Sequence, residues 1–228
     1  MRIASYNIKC FNYNADKEKI LEVLRTVNAD VVGIQEADVD SKRSGPGNQI
    51  QMAAEALGYP YWYFAKAITH RSGTGAYGHG ILSRYPILSA ETVDYAVVGE
   101  NDHDGNRCYA RLLLDVGGKE LAFYNTHLTL DRAGRAAELE QVMASMKQDA
   151  RAVLTGDMNA LPEEICSHVD PALFAMLNPG IPTFPQGENS VKAIDHIIVG
   201  CSLKRSESIT VHSADCSDHN LIYAEIEV

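Results

Sequence analysis

Cysteine is scarce in this chain and never closely paired. The five cysteines, Cys10, Cys108, Cys166, Cys201 and Cys216, are odd in number, and none has CxxC spacing. That pattern argues against a disulfide framework and predicts reduced, mostly buried thiols in a reducing compartment. Long apolar runs are missing as well. No stretch approaches the ~18 apolar residues of a membrane span. The opening residues MRIASYNIKCFNYN hold no apolar run of the ~7–15 residues that a signal peptide carries. A cytoplasmic protein is therefore expected. Cationic charge is in deficit: 20 Lys and Arg face 30 Asp and Glu, a formal net charge of −10. Such a chain gains little from diffuse attraction to nucleic acid, although a local basic patch would escape this argument. Internal repeats, low-complexity tracts and linkers are absent too.

What is present suits one larger domain spanning residues 1–228. Hydrophobic residues make up 46% and charged residues 22% of the chain, enough to bury a core without a metal or disulfide staple. RIASYNIKC alternates and predicts a strand. DKEKILEVLRTV sets Ile20, Leu21, Leu24 and Val27 at helical period behind an Asp cap. DVVGIQE is a short buried strand ending on Gln35 and Glu36, and DVDSKRSGPGN reads as a polar loop. QIQMAAEAL is a helix closed by Gly58. Strands follow at YWYFAK, HGILS, ILSAETVDYAV, RCYARLLLDV and KELAFYNTHL, the last two joined as a hairpin across Gly117 and Gly118. RAAELEQVMASMKQD reads as a helix, AVLTGD as a strand and PALFAML as a short helix. AIDHIIVG, ESITVHSA and NLIYAEIEV complete a strand-rich α/β chain.

The stretch VLTGDMN, residues 153–159, shows where chemistry could sit. Residues i and i+2 of a strand share a face, so Asp157 and Asn159 project together and Met158 turns into the core. Taken alone, the stretch reads as an Asx turn. Yet polar residues recur at the other strand ends. Asn7 lies in the first strand, Glu36 ends the second and His127 ends AFYNTHL. Asp195 and His196 interrupt AIDHIIV, and Asp218 and His219 precede the last strand. Each has a local explanation as a cap, a turn or a satisfied core residue. One shared cleft explains them together, as expected outside the carboxyl ends of strands in open α/β sheets.

SYNIK, GIQE, YGHGILSRYPI, NTHL, GDMN, IDHI and SDHN occur in the order seen in the endonuclease/exonuclease/phosphatase superfamily, which the chain resembles from Asn7 to Asn220. The resemblance implies a four-layer α/β sandwich, with two mixed β-sheets packed face to face and helices outside. It implies Mg²⁺- or Mn²⁺-dependent phosphoester hydrolysis as well. Mg²⁺ takes oxygen ligands and keeps several waters, so Glu36, with Asn7 and Asp218 beside it, suits it better than zinc. By the resemblance, Asp157 orients or deprotonates the attacking water, and Asn159 donates to a phosphate oxygen or helps to hold the metal. His219 contacts the phosphate with Asp195 fixing its tautomer, and His127 is a second phosphate donor. His127 in NTHL resembles the DNase I and sphingomyelinase branches rather than exonuclease III-like enzymes.

Four further residues are candidates for contacting substrate. Arg107 sits where many relatives carry a phosphate-contacting arginine, or forms a surface salt bridge. Tyr77 and His79 fall where relatives usually read Tyr-Gly-Asn, and His79 departs from that asparagine. Arg43 either reaches a substrate phosphate or is solvated loop charge. The leading expectation is a phosphodiesterase, monomeric, acting on a small phosphoester, a phospholipid head group or nucleic acid. A DNase I-like nuclease is the alternative, and a non-catalytic phosphate-binding module the third reading. Specificity is expected from residues 38–48, 66–77, 98–106 and 178–190.

Overall fold

A computed structural model describes residues 1–70, 75–96, 107–178, 180–185, 190–206, 210–212 and 216–228. The specificity segment 98–106 lies outside them, and of ESITVHSA they include only 210–212. In chain order the elements are β1 (Arg2–Asn7), α1 (Lys9–Tyr13), α2 (Lys17–Val27), β2 (Val31–Ser41), β3 (Gly45–Asn48), α3 (Gln49–Leu57), β4 (Tyr61–Thr69) and β5 (Ala76–Ser83). Then come β6 (Ile87–Asp94), β7 (Cys108–Val116), β8 (Lys119–His127), α4 (Arg132–Met146), β9 (Ala152–Asp157) and α5 (Pro162–Cys166). The chain closes with β10 (Phe174–Met176), β11 (Asp195–Gly200), β12 (Lys204–Arg205), β13 (Thr210–His212) and β14 (Leu221–Glu227).

The strands form two mixed sheets. One runs β12-β14-β1-β2-β5-β4, with β3 added to β2 and β13 to β14; the other runs β10-β11-β9-β8-β7-β6. Within each, one central pair is parallel, β1 with β2 and β8 with β9. Alternation along the strands makes the layers. Ile3, Ile81, Leu112, Phe123, Val153, Ile197 and Ile222 point inward and fill the space between the sheets. On the outer face of the first sheet, Tyr6, Val32 and Ile34 meet Ile20 and Leu24 of α2 and Ile50 of α3. On the outer face of the second, Tyr124, Leu154 and Ile198 meet Leu139, Val142 and Met143 of α4. This is the four-layer sandwich that the motif order implied.

Local chemistry sets the element ends. Asn48 caps α3 by accepting from the Ile50 and Gln51 amides at 2.9 and 3.3 Å, and Gly58 ends it at φ +72°. Val116 and Lys119 pair across Gly117 and Gly118, both at positive φ, as a two-residue hairpin turn requires. Three sequence readings are corrected. DVDSKRSGPGN is a hairpin rather than a loop: β2 continues to Ser41 and β3 returns alongside it. PALFAML is not a helix, because Phe174–Met176 pair antiparallel with β11, and that pairing overrides the helical spacing. Asp16 holds the cap position of α2, but its carboxylate accepts from Asn12 and Lys19 and caps no helix amide.

Candidate active site

The two parallel pairs bring the carboxyl ends of β1, β8 and β9 and a bulge in β2 to one edge of the sandwich. In the second sheet, Asp195 of β11 pairs with Asp157 of β9, which pairs with His127 of β8. Three candidate side chains thus occupy one row across three neighbouring strands, which no spacing along the sequence reveals. All three are buried. His219, from the turn before β14, completes the group. Its Nδ1 lies 2.9 Å from Asp195 Oδ2, and its Nε2 lies 3.5 Å from Asp157 Oδ2. His127 Nε2 approaches the same Asp157 oxygen at 3.4 Å.

The first sheet supplies Asn7 and Glu36. The register of β2 against β5 slips between Ile34 and Ala37, and Glu36 sits there at φ +54°. Glu36 therefore lies inside β2 and does not end it as the sequence suggested, and a β-bulge of this kind re-aims its side chain at a backbone cost of about 1–3 kcal/mol. Asn7 links the two sheets. Its Nδ2 donates to Glu36 Oε1 and to Asp157 Oδ2, both at 3.0 Å, while its Oδ1 accepts the Lys9 amide at 3.0 Å. The amide presents its nitrogen to Glu36 and Asp157, so Asn7 bridges the two carboxylates. Lys9 sits at positive φ in α1, a single left-handed turn running through Asn14.

GDMN forms the Asx turn that the stretch suggests when read alone. Asp157 Oδ1 accepts the Asn159 amide at 3.1 Å, an Asx turn, and Oδ2 remains for Asn7, His127 and His219. Asn159 lies beyond the end of β9 at φ +49°, so the shared-face argument from strand alternation does not apply to it. Its Nδ2 donates to Leu128 O at 2.9 Å. Met158 is fully buried, as expected.

Electrostatics separates the histidines. Burial works to lower the His219 pKa, but Asp195 and then Asp157 outweigh it and raise the group to about 10. Asp157, Asp195 and His219 offer ligand atoms within 4.8 Å of one another, a group that could hold a metal ion. Burial, with Arg107 and His219 nearby, drives His127 well below its ordinary value, so it stays neutral. Burial and then Arg107 hold His79 down at about 3. Asp157 is pushed up, first by burial and then by Asp195, against the lowering effect of His219.

A cavity of about 560 Å³ opens over this group. Glu36, Tyr77, Arg107, His127, Asp157, Asn159, Asp218 and His219 line it, with Leu130, Leu161, Phe184, Lys192 and Ile194 on its walls. A larger cavity of about 970 Å³ adjoins it between α4 and α5, sharing Leu161 and Glu164 but holding none of the converging residues. Chemistry rather than size selects the smaller one. Glu36 and Asp218 give it two carboxylates, an oxygen donor set that fits a hard divalent cation. Asp218 also pairs with Lys9 at 3.1 Å.

Two sequence candidates stand elsewhere. His79 is buried with its Nε2 3.9 Å from Cys108 Sγ, and Arg43 is bound to Asp38; neither lines the cavity. Sequence reasoning missed Lys192 and Phe184, whose ring lies 4.9 Å from that of His219. It missed Asn125 too, although NTHL contains it. Asn125 Nδ2 crosses to the other sheet to donate to Ile34 O and Gly80 O, both at 2.9 Å, and its Oδ1 accepts from Gln35 and Thr155. The residue before Glu36 is thereby fixed to the opposite sheet.

Comparison with known proteins agrees with this architecture. The Endonuclease/Exonuclease/phosphatase family model matches residues 4–219. No curated protein sequence matches the chain. Among solved structures, a mannosyl-6-phosphatase of Bacteroides thetaiotaomicron VPI-5482 superposes with a TM-score of 0.76 at 18% identity, covering 100% of both chains. An endonuclease/exonuclease/phosphatase from Beutenbergia cavernae DSM 12333 gives 0.80 at 20% identity, over 100% of this chain and 71% of that one. TDP2 from D. rerio, humanized by 14 mutations, gives 0.75 at 16% identity, over 100% of this chain and 99% of that one. At these identities the likeness is one of fold. The family match spans nearly the whole chain, and the chain belongs to the endonuclease/exonuclease/phosphatase family, whose members are phosphoester hydrolases.

Proposed function

We propose that this chain is a Mg²⁺- or Mn²⁺-dependent phosphodiesterase in which Asp157 activates the attacking water. The observation that carries the reading is the row Asp195–Asp157–His127 with His219 held between the two carboxylates, facing Glu36 across Asn7. Asp157 Oδ2, on which Asn7, His127 and His219 converge, is the oxygen that would take the proton from water in this reading. His219, held charged by Asp195, donates to the phosphate as charge develops, and neutral His127 adds a second donor. Glu36 and Asp218 would hold the cation, which supplies charge neutralisation at the phosphate. Asn7 orients Glu36 and Asp157, and Arg107, Tyr77 and Lys192 border the space left for substrate.

A nuclease is the second reading, and only the family breadth favours it. The net charge of −10 and the carboxylates along the cavity favour a substrate with a single phosphate. The test is hydrolysis of bis(p-nitrophenyl) phosphate in Mg²⁺ and Mn²⁺, by wild type and by Glu36→Gln. Metal-dependent turnover, with the variant needing far more metal, supports the reading. Turnover in a metal chelator, or a variant equal to wild type at limiting Mg²⁺, overturns the metal assignment.

A further inference from the structure

Asp38 is a buried carboxylate that the reaction does not use, and its surroundings are unusually complete. Its side chain is 1% exposed. Arg43 donates to it twice, Nε to Oδ2 at 2.8 Å and Nη2 to Oδ1 at 2.9 Å. Ser41 and Ser44 hydroxyls donate to Oδ2 at 2.8 and 2.6 Å, and His70 Nε2 lies 3.1 Å from Oδ1. Burying the carboxylate costs desolvation that offsets its attraction to the 42% exposed guanidinium, so the pair fixes geometry more than it stabilises. The geometry fixed here is that of the guanidinium plane. Arg43 lies over the ring of Tyr77 at 5.4 Å and over that of Tyr13 at the same distance. Tyr77 is the direct cross-strand partner of Asp38 in β5, and it lines the cavity with Glu36. An unbroken chain of contacts therefore runs from the carboxylate through the guanidinium to a wall of the cavity.

We propose that Asp38 and Arg43 are a positioning pair that sets the ring of Tyr77 against the substrate. This rests on the phosphoester reading of the cavity. Lysine cannot replace the arginine: an ammonium keeps the charge but lacks the two-pronged fork and the flat face that stacks. A purely structural ion pair would tolerate that exchange in its effect on substrate binding.

The test uses protein labelled with 3-fluorotyrosine, with the Tyr77 resonance assigned by its loss in Tyr77→Phe. Arg43→Lys, Arg43→Ala and Asp38→Asn are each expected to shift that ¹⁹F resonance. Each should raise KM for bis(p-nitrophenyl) phosphate by about tenfold, the scale of a partly buried cation–π contact, with a smaller change in kcat. The double variant Arg43→Ala/Tyr77→Ala should lose no more than Tyr77→Ala alone, because the pair acts through that ring. An unmoved resonance, an unchanged KM or fully additive losses would overturn the proposal. If Arg43→Ala fails to fold, Arg43→Lys and Asp38→Asn carry the same readouts. If wild type cleaves nothing, the phosphodiesterase reading fails. The positioning claim is then decided by whether inorganic phosphate moves the Tyr77 resonance in wild type and fails to do so in Arg43→Lys.

Discussion

At the scale of single residues, the site gives unequal environments to chemically similar groups. Asp157 and Asp195 face each other in one row, yet His219 Nδ1 sits at hydrogen-bonding distance from Asp195 alone. The account requires Asp157 ionised and His219 protonated. Activity should therefore rise with pH as Asp157 loses its proton, and fall as His219 loses its own, with apparent values that belong to the cluster as a unit. Asp195→Asn removes the strongest influence holding His219 charged. Its pKa then drops, and the alkaline limb of the kcat profile should move to lower pH; an unmoved limb would assign that limb to another group. Asp195→Asn and His219→Ala should also be strongly non-additive in kcat, since they act as a unit. Asn159 is a different case. Its amide is bound to Leu128 O, so Asn159→Ala should lower Tm, and its kcat loss should be smaller than that of Asp157→Asn.

At the scale of elements, periodicity made most of the strands legible, and α2, α3 and α4 with them, because their apolar faces follow the 2 and 3.6 repeats. It failed where tertiary contacts decide. The hairpin β2–β3 exists because Asp38 gathers Ser41, Arg43 and Ser44, and no local pattern shows which carboxylate will be buried. β10 is a strand only because β11 lies beside it. The cross-sheet tie through Asn125 was equally hidden, since it joins residues far apart in sequence. That tie makes a prediction about Gly33 in β2. A Cβ there would fall 2.1 Å from Thr155 Oγ1 and 2.6 Å from Asn125 Oδ1. Gly33→Ala must push the sheets apart or break the tie, costing roughly 1–3 kcal/mol. Thermal melting should show it, at about 2–4 °C per kcal/mol for a chain of this size. A variant melting with wild type would show that the sheets part at no cost.

At the scale of the whole molecule, the fold could be read from seven short stretches in order, because most of them lie at strand ends and the strands share one edge. Distances could not be read, nor which oxygen of Asp157 faces the cavity. Charge is a whole-molecule property too. At −10, the chain should be a poor enzyme on duplex DNA at physiological salt. Efficient nicking of plasmid at nanomolar enzyme would contradict that and promote the nuclease reading. The central claim, that Asp157 is the base, is tested most directly by measuring kcat and Tm on one preparation of Asp157→Asn. The amide keeps an oxygen for the Asn159 backbone and keeps the shape, but it cannot take a proton from water. The expected result is a kcat loss of at least ~10²–10⁴, the scale of general-base assistance, with Tm within a few degrees of wild type. A variant with near-normal kcat and a collapsed Tm would make this residue a turn-former and contradict the account.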